Sequence, residues 1–366
     1  RAFGEGSRHR FRVAPPSRSC SRLRRGPAMQ LLPRALAALA LWCAAFDASA
    51  EEDAADLHPK YALVNGDIET VWQRPHGNPT GVFFIAHGCR HQGPDIFSDV
   101  GHDGWRLEAC ASTKLGRCLG LPEEVRLRQA ARERGYVVMA VSGGSGEQRC
   151  WARNRDAERV VAAVKYVKKA EGLSKSAPVL ASGASSGGAF LGTLAAPGGL
   201  KHLSCIIPQV MGLGGARILN VPTMFVRMSK DEWTADEVAV DLERLRKEGV
   251  RTAEILVNPV PVTAELLGRC LAVDVATEAA EALQKQKVLD DEGFQVRNPR
   301  SKTWVEPMRK VLAGRSDDNL ILDQSCVFEL LNVAWAFHEF TSEYAQEMLD
   351  FCEEKGNYSN ERGHDL

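Results

Sequence analysis

Apolar residues along this chain fall into two rhythms. Short, nearly continuous runs read as strands buried on both faces: GVFFIAH (81–87), YVVMAVS (136–142), APVLASG (177–183), LSCIIPQVM (203–211), VPTMFVRMS (221–229) and RTAEILVNP (251–259). Between several of them, apolar positions recur three and four residues apart. LPEEVRLRQAARERG (121–135) predicts a helix with acids first, bases last and Gly135 as its stop. DAERVVAAVKYVKKAEG (156–172) predicts a second, with Val160, Val161, Val164 and Val167 on one face and Gly172 closing it. TADEVAVDLERLRKEG (234–249) predicts a third, and YALVNGDIETVW (61–72) an opening strand or hairpin. Repeated strand–helix units imply an α/β fold with a mainly parallel, doubly wound sheet and helices on both faces.

The rhythm breaks after residue 259. Residues 260–337 are mostly helical in pattern, with DDEGFQVRNPRSKTW in their middle, and are expected to form an insertion within a domain spanning 51–366. TSEYAQEMLDFCEEKG (341–356) predicts a closing amphipathic helix with Thr341 or Ser342 as its N-cap.

At 44% hydrophobic and 25% charged, the 366 residues have a globular composition. The net charge of −1 hides an asymmetry. Residues 1–50 hold nine arginines against Glu5 and Asp47, which leaves 37 basic and 45 acidic residues beyond them, a balance of −8. A body that acidic gives no electrostatic reason to expect nucleic-acid binding. Within the N-terminal extension (1–50), Met29 opens a pattern of QLLPR, the apolar run ALAALALWCAAF, and DASA before an acidic start. This is the layout of a secretory signal peptide over 29–50, with cleavage expected after Ala50. The apolar run falls short of the ~20 residues a membrane span needs, and no later segment reaches that length. No stable membrane span is therefore expected once the signal is removed.

Eight cysteines follow Ala50, an even number in a chain expected to meet an oxidising compartment, so disulfides are expected. No C-x-x-C pair and no His/Asp/Glu cluster has ligand spacing, which argues against a metal centre; no cofactor is expected either. NYS at Asn357 is a glycosylation sequon.

The candidate chemistry centres on GASSG (183–187), a match to G-x-S-x-G. Gly and Ser at about 7% usage each produce such a match by chance about once in ten chains of this length, so context must decide. A buried strand precedes it and GAFLGTLAA follows, the strand–turn–helix setting that exposes a nucleophile. Ser185 has glycines two residues away on both sides; Ser186 offers a second register. Upstream, the strand FFIAHGC ends at His87-Gly88-Cys89. The Gly88–Cys89 loop is expected to give one oxyanion-hole N–H and Ser186 the other, with His87 orienting the loop. Asp231, just past VPTMFVRMS, is preferred over Glu232 and Asp236 as the acid that orients a histidine. His338, in VAWAFHEFTSEY, is the only histidine between Asp231 and the tail, although Trp335, Phe337 and Phe340 also suit a packed core histidine. The order Ser185, Asp231, His338 is that of α/β-hydrolases.

On these residues the chain resembles the α/β-hydrolase superfamily over roughly 61–355, which implies that fold with a helical cap before the last helix. HGC after the early strand and RCW (149–151) after the next resemble the secreted polyhydroxybutyrate depolymerase and feruloyl esterase branch. That resemblance implies a Cys89–Cys150 bridge. The long 260–337 segment and the HE-x-T element at His338 depart from that branch and look closer to plant-type α/β-hydrolases. The activity implied is an extracellular serine hydrolase acting on small-molecule or polymeric esters. A peptidase or amidase with the same triad, or a non-catalytic binding protein on the same fold, are the alternatives. Trp304 and nearby apolar residues are candidates to line an acyl or aryl pocket under the cap, although a tryptophan is more often simply packed.

Overall fold

A computed structural model of the chain describes residues 58–98, 106–112, 118–144, 148–315 and 319–354. The N-terminal extension, its signal peptide and the sequon at Asn357 lie outside these residues.

The strands are β1 (Lys60–Val64), β2 (Ile68–Gln73), β3 (Gly81–Ala86), β4 (Tyr136–Val141), β5 (Val179–Ala184), β6 (Leu203–Gln209), β7 (Thr223–Met228) and β8 (Thr252–Val257). They form one eight-stranded sheet in the order β1-β2-β4-β3-β5-β6-β7-β8. β1 and β2 make an antiparallel hairpin through Asn65 and Gly66, both at positive φ, and β2 runs antiparallel to β4. Every pairing from β4 to β8 is parallel. β3, β4 and β5 are buried throughout, which is why they read as unbroken apolar runs.

The helices are α1 (Glu108–Ser112), α2 (Pro122–Glu133), α3 (Arg153–Ala170), α4 (Ser186–Ala195), α5 (Glu232–Lys247), α6 (Ala264–Leu267), α7 (Val273–Lys285), α8 (Val305–Leu312), α9 (Cys326–Trp335) and α10 (Ala345–Cys352). The strands' alternation sends Phe83, Ile85 and Val138 to one face, where Leu127 of α2 and Met348 and Phe351 of α10 meet them. Val82, Phe84 and Met139 point to the other, against Val160, Val164 and Val167 of α3, Phe190 of α4 and Leu242 of α5. Each such large side chain contributes about 1.5–3 kcal/mol by leaving water. A doubly wound sheet with this strand order is the α/β-hydrolase fold.

One expectation changes and one open choice is decided. The last helix starts at Ala345 with Tyr344 as its N-cap, not at Thr341 or Ser342. Those two residues are buried and serve another group: Ser342 N–H and Oγ–H donate to Glu123 Oε2 at 2.7 and 2.8 Å. A fully buried carboxylate needs donors more than a helix end near water does. Of the two readings of Trp304, the packed one holds. The segment between β8 and His338 has its own core, shared by Trp304 with Leu267, Ala276, Leu283, Met308, Phe328 and Leu331, and the indole stacks on Phe328 with ring centres 6.1 Å apart. Trp304 is 0% exposed and its N–H donates to Pro299 O at 2.9 Å. A Cys270–Cys326 disulfide ties α9 to the α6–α7 turn.

Candidate active site

The site begins with a backbone constraint. Ser185 links β5 to α4 at φ 53° and ψ −119°, a strained conformation that costs about 1–3 kcal/mol for a non-glycine residue. Two hydrogen bonds hold it there, Ser185 N–H to Gln209 O at 3.0 Å and Ala189 N–H to Ser185 O at 3.1 Å. The turn fits only because Gly183 and Gly187 lack side chains. A Cβ on Gly187 would press into the Ala86 carbonyl oxygen and come within 2.6 Å of His87 O. One on Gly183 would lie 2.8 Å from the Gly187 carbonyl carbon. The start of α4 is thereby seated on the end of β3.

Asp231 follows β7 and directly precedes α5, 1% exposed, with its N–H donating to Met228 O at 3.0 Å. Its Oδ2 accepts from Thr234 Oγ1 at 2.7 Å and from His338 Nδ1 at 2.8 Å. A carboxylate only accepts, so His338 carries its proton on Nδ1 and leaves Nε2 as an acceptor. Nε2 lies 3.0 Å from Ser185 Oγ. The histidine is delivered by an abrupt chain exit. Ala336 closes α9 in the left-handed region at φ 57°, and His338 itself has φ 37°. Lys230 N–H donates to Ala336 O at 3.1 Å, which fastens the histidine loop to the loop carrying Asp231. Ser185, Asp231 and His338 therefore meet from three distant parts of the chain. Ser186 does not join them; its Oγ is buried with no hydrogen-bond partner.

Beside Ser185 runs the Gly88–Cys89 loop, joined to the neighbouring loop by a Cys89–Cys150 disulfide and by Arg90 N–H to Gln148 O at 2.6 Å. His87 is a structural part of this loop. Its Nδ1–H donates to Gly88 O at 2.7 Å, and its Nε2 accepts from Gly143 N–H at 3.0 Å. Burial pushes its pKa down to about 3, so it stays neutral. Trp151 donates to His87 O at 2.8 Å and stacks on Phe190 at 4.3 Å, which locks the loop to α4. A Cβ on Gly88 would meet nothing nearer than His91 Cδ2 at 3.8 Å, so protein packing does not demand the glycine. As first residue of α4, Ser186 has an N–H that the helix cannot pair.

Two features near the site have no counterpart in the sequence patterns. Trp233, 72% exposed, stands with its ring centre 5.5 Å from that of His338. Its only sequence signal is a place two residues after Asp231. The other is a group of acids: buried Glu329 on α9, and half-buried Glu124 on α2 and Glu339 next to the histidine in sequence. Glu339 accepts from Asn332 Nδ2 and Phe340 N–H, at 3.0 and 3.1 Å. Burial pushes the carboxyls of Glu124 and Glu339 up to about 7. Burial, reinforced by the neighbouring Glu124, holds that of Glu329 well above the usual range.

Among the described residues, no group of three or more His, Cys, Asp or Glu is arranged to hold a metal ion, and no helix is long and apolar enough to cross a membrane. The remaining cysteines among the described residues pair as Cys110–Cys118 and Cys205–Cys352.

No family model matches this sequence, and no curated protein matches it. Solved structures similar to it include an α/β hydrolase enzyme from a Medee basin deep-sea metagenome library, 12% identical, with a TM-score of 0.41, covering 70% of this chain and 98% of that one. A thermophilic esterase from the Planctomycetes species Thermogutta terrifontis is 14% identical, with a TM-score of 0.37 and coverage of 56% and 84%. An α/β serine hydrolase homologue from Coxiella burnetii is 13% identical, with a TM-score of 0.37 and coverage of 55% and 86%.

Proposed function

We propose that this protein is a serine hydrolase that cleaves carboxylic esters. The observation that carries the reading is the relay from Asp231 Oδ2 through His338 to Ser185 Oγ, 2.8 and 3.0 Å in its two links. In this reading His338 Nε2 takes the Ser185 proton as Oγ attacks the ester carbonyl carbon. The oxyanion accepts hydrogen bonds from Ser186 N–H and from N–H groups of the Gly88–Cys89 loop, worth about 2.7–4 kcal/mol for such a donor. The carbon–oxygen bond to the alcohol breaks, and Nε2–H protonates the departing oxygen. Asp231 stabilises the imidazolium throughout. Water, deprotonated by His338, then attacks the acyl carbon; the bond to Ser185 Oγ breaks, His338 returns the proton to Oγ, and the carboxylic acid leaves. Small-molecule or polymeric esters both suit this chemistry. Residues 260–337 act as a cap; their departure from the carboxyl end of β8 and their return at His338 support that role. The four disulfides support a protein of the secretory pathway, acting outside the cell.

The test is a fluorophosphonate probe combined with parallel panels of p-nitrophenyl esters and peptide anilides. We expect labelling at Ser185, abolished in Ser185→Ala and retained in Ser186→Ala, with turnover of the esters. Labelling elsewhere, or none in folded protein, would overturn the proposal. Turnover confined to the anilides would move the activity to amides.

A further inference from the structure

Among the described tryptophans, Trp72, Trp151 and Trp304 are buried and Trp335 is half-buried. Trp233 departs from that at 72% exposure, leaving a large apolar ring in water at the start of α5. Its ring lies 5.5 Å from the His338 imidazole and is tilted 44° to it. Phe337, half-buried, lies 6.4 Å from the same imidazole at 53°. The indole N–H has no hydrogen-bond partner among the described residues. Folding does not need this arrangement, since the ring adds little buried area where it stands.

What the position offers is a contact on one side of the reaction. In the serine-hydrolase reading, on which this inference rests, the leaving oxygen must come within hydrogen-bond reach of His338 Nε2 to receive its proton. The group carried by that oxygen must then run past the imidazole. Trp233 and Phe337 are the aromatic rings that stand beside that imidazole. We infer that Trp233, backed by Phe337, is a substrate-positioning platform for the alcohol half of the ester, and that the preferred substrates are esters of alcohols bearing a planar aromatic ring. Offset or tilted stacking on an indole rewards a flat ring over an alkyl chain of the same size.

The experiment compares three acetates of primary alcohols, so that the leaving-group chemistry is similar: ethyl, cyclohexylmethyl and 2-naphthylmethyl acetate. Each is assayed on the full chain with wild-type protein, Trp233→Ala and Trp233→Phe. We expect wild type to favour 2-naphthylmethyl over cyclohexylmethyl acetate. Trp233→Ala should lose about five- to tenfold in kcat/KM for the naphthyl ester, mainly through KM, and less than twofold for ethyl acetate. Trp233→Phe should restore most of the loss. An equal loss on all three esters, or an unchanged naphthyl-to-cyclohexyl ratio in Trp233→Ala, overturns the platform. Fluorophosphonate labelling of each variant separates the two levels. Intact labelling with an unchanged ratio removes the platform alone. A wild type that neither labels at Ser185 nor turns over any ester removes the hydrolase reading and the platform with it.

Discussion

Replacing Glu124 by Gln should make the protein more stable in alkaline solution and leave it nearly unchanged in acid. Glu124 Oε2 and Glu329 Oε1 are buried with no donor from another group, and any hydrogen bond between the two carboxyls needs one of them to keep its proton, as their raised pKa values favour. Glu329 Oε2 is occupied by the Glu123 N–H at 3.2 Å, which joins α9 to the first turn of α2. The charges nearby add to the cost of losing that proton: Glu123 and Asp95 face Glu124, and Glu339 faces Glu329. Burial raises the Glu124 pKa from 4.5 to about 7, so between those values the folded chain holds a proton that the unfolded chain has released. Stability therefore falls as pH rises through that window, by about 1.4 kcal/mol per pH unit and about 3 kcal/mol in all. A glutamine side chain at this position has no proton to lose and still presents an oxygen to the Glu329 hydroxyl. Urea unfolding of both proteins at pH 5, 6, 7 and 8 reads the effect as a widening gap in favour of Glu124→Gln. Glu329 and Glu339 also feel the Glu124 charge, so in the variant their own upward push eases and the gap widens in the same direction. A gap that stays constant across those four pH values would refute the retained-proton account.

Asp231→Asn should lower kcat about 10⁴-fold with little change in KM, because the amide can favour the wrong imidazole tautomer; steady-state kinetics on a p-nitrophenyl ester would show it. Gly187→Ala forces a methyl into the Ala86 and His87 carbonyls and should cost about 1–3 kcal/mol in urea unfolding, together with slower labelling of Ser185. The double change Cys89→Ser and Cys150→Ser opens a link across 61 positions and should cost about 4 kcal/mol in the chain-entropy account. It should also lower kcat more than it changes KM, since the loop it frees is the one proposed to hold the oxyanion.

The parts of the fold that were legible are those whose neighbours are fixed by local pattern. β3, β4 and β5 are covered on both faces, and nothing but an unbroken apolar run satisfies that setting. The serine turn was legible for a similar reason, since its glycines are dictated by contacts a few residues away and by one strand end. Chain order then pointed to Asp231 and His338, and both lie where they can meet Ser185. What stayed hidden depends on partners from other elements. Glu123 looks like an ordinary first-turn acid, well placed for the helix dipole; only α9, Arg269 and Ser342 make it a buried, fully engaged group. Thr341 and Ser342 have the chemistry of an N-cap, but the carboxylate that claims them is over two hundred residues away. Trp304 has the chemistry of a pocket wall, and no local signal says that a second small core will close over it. Three of the four disulfide pairings were likewise beyond reach, because eight cysteines admit 105 pairings.

The placement of two of those bridges bears on how the protein would survive proteases. Lys285, Gln286 and Lys287 form an exposed corner at the end of α7, an inviting target for a trypsin-like enzyme. A cut there would not release the part that carries His338. Cys270 and Cys326 straddle the corner, and so do Cys205 and Cys352. Clipped protein would remain one molecule of two covalently tethered chains, separating on a gel only after reduction.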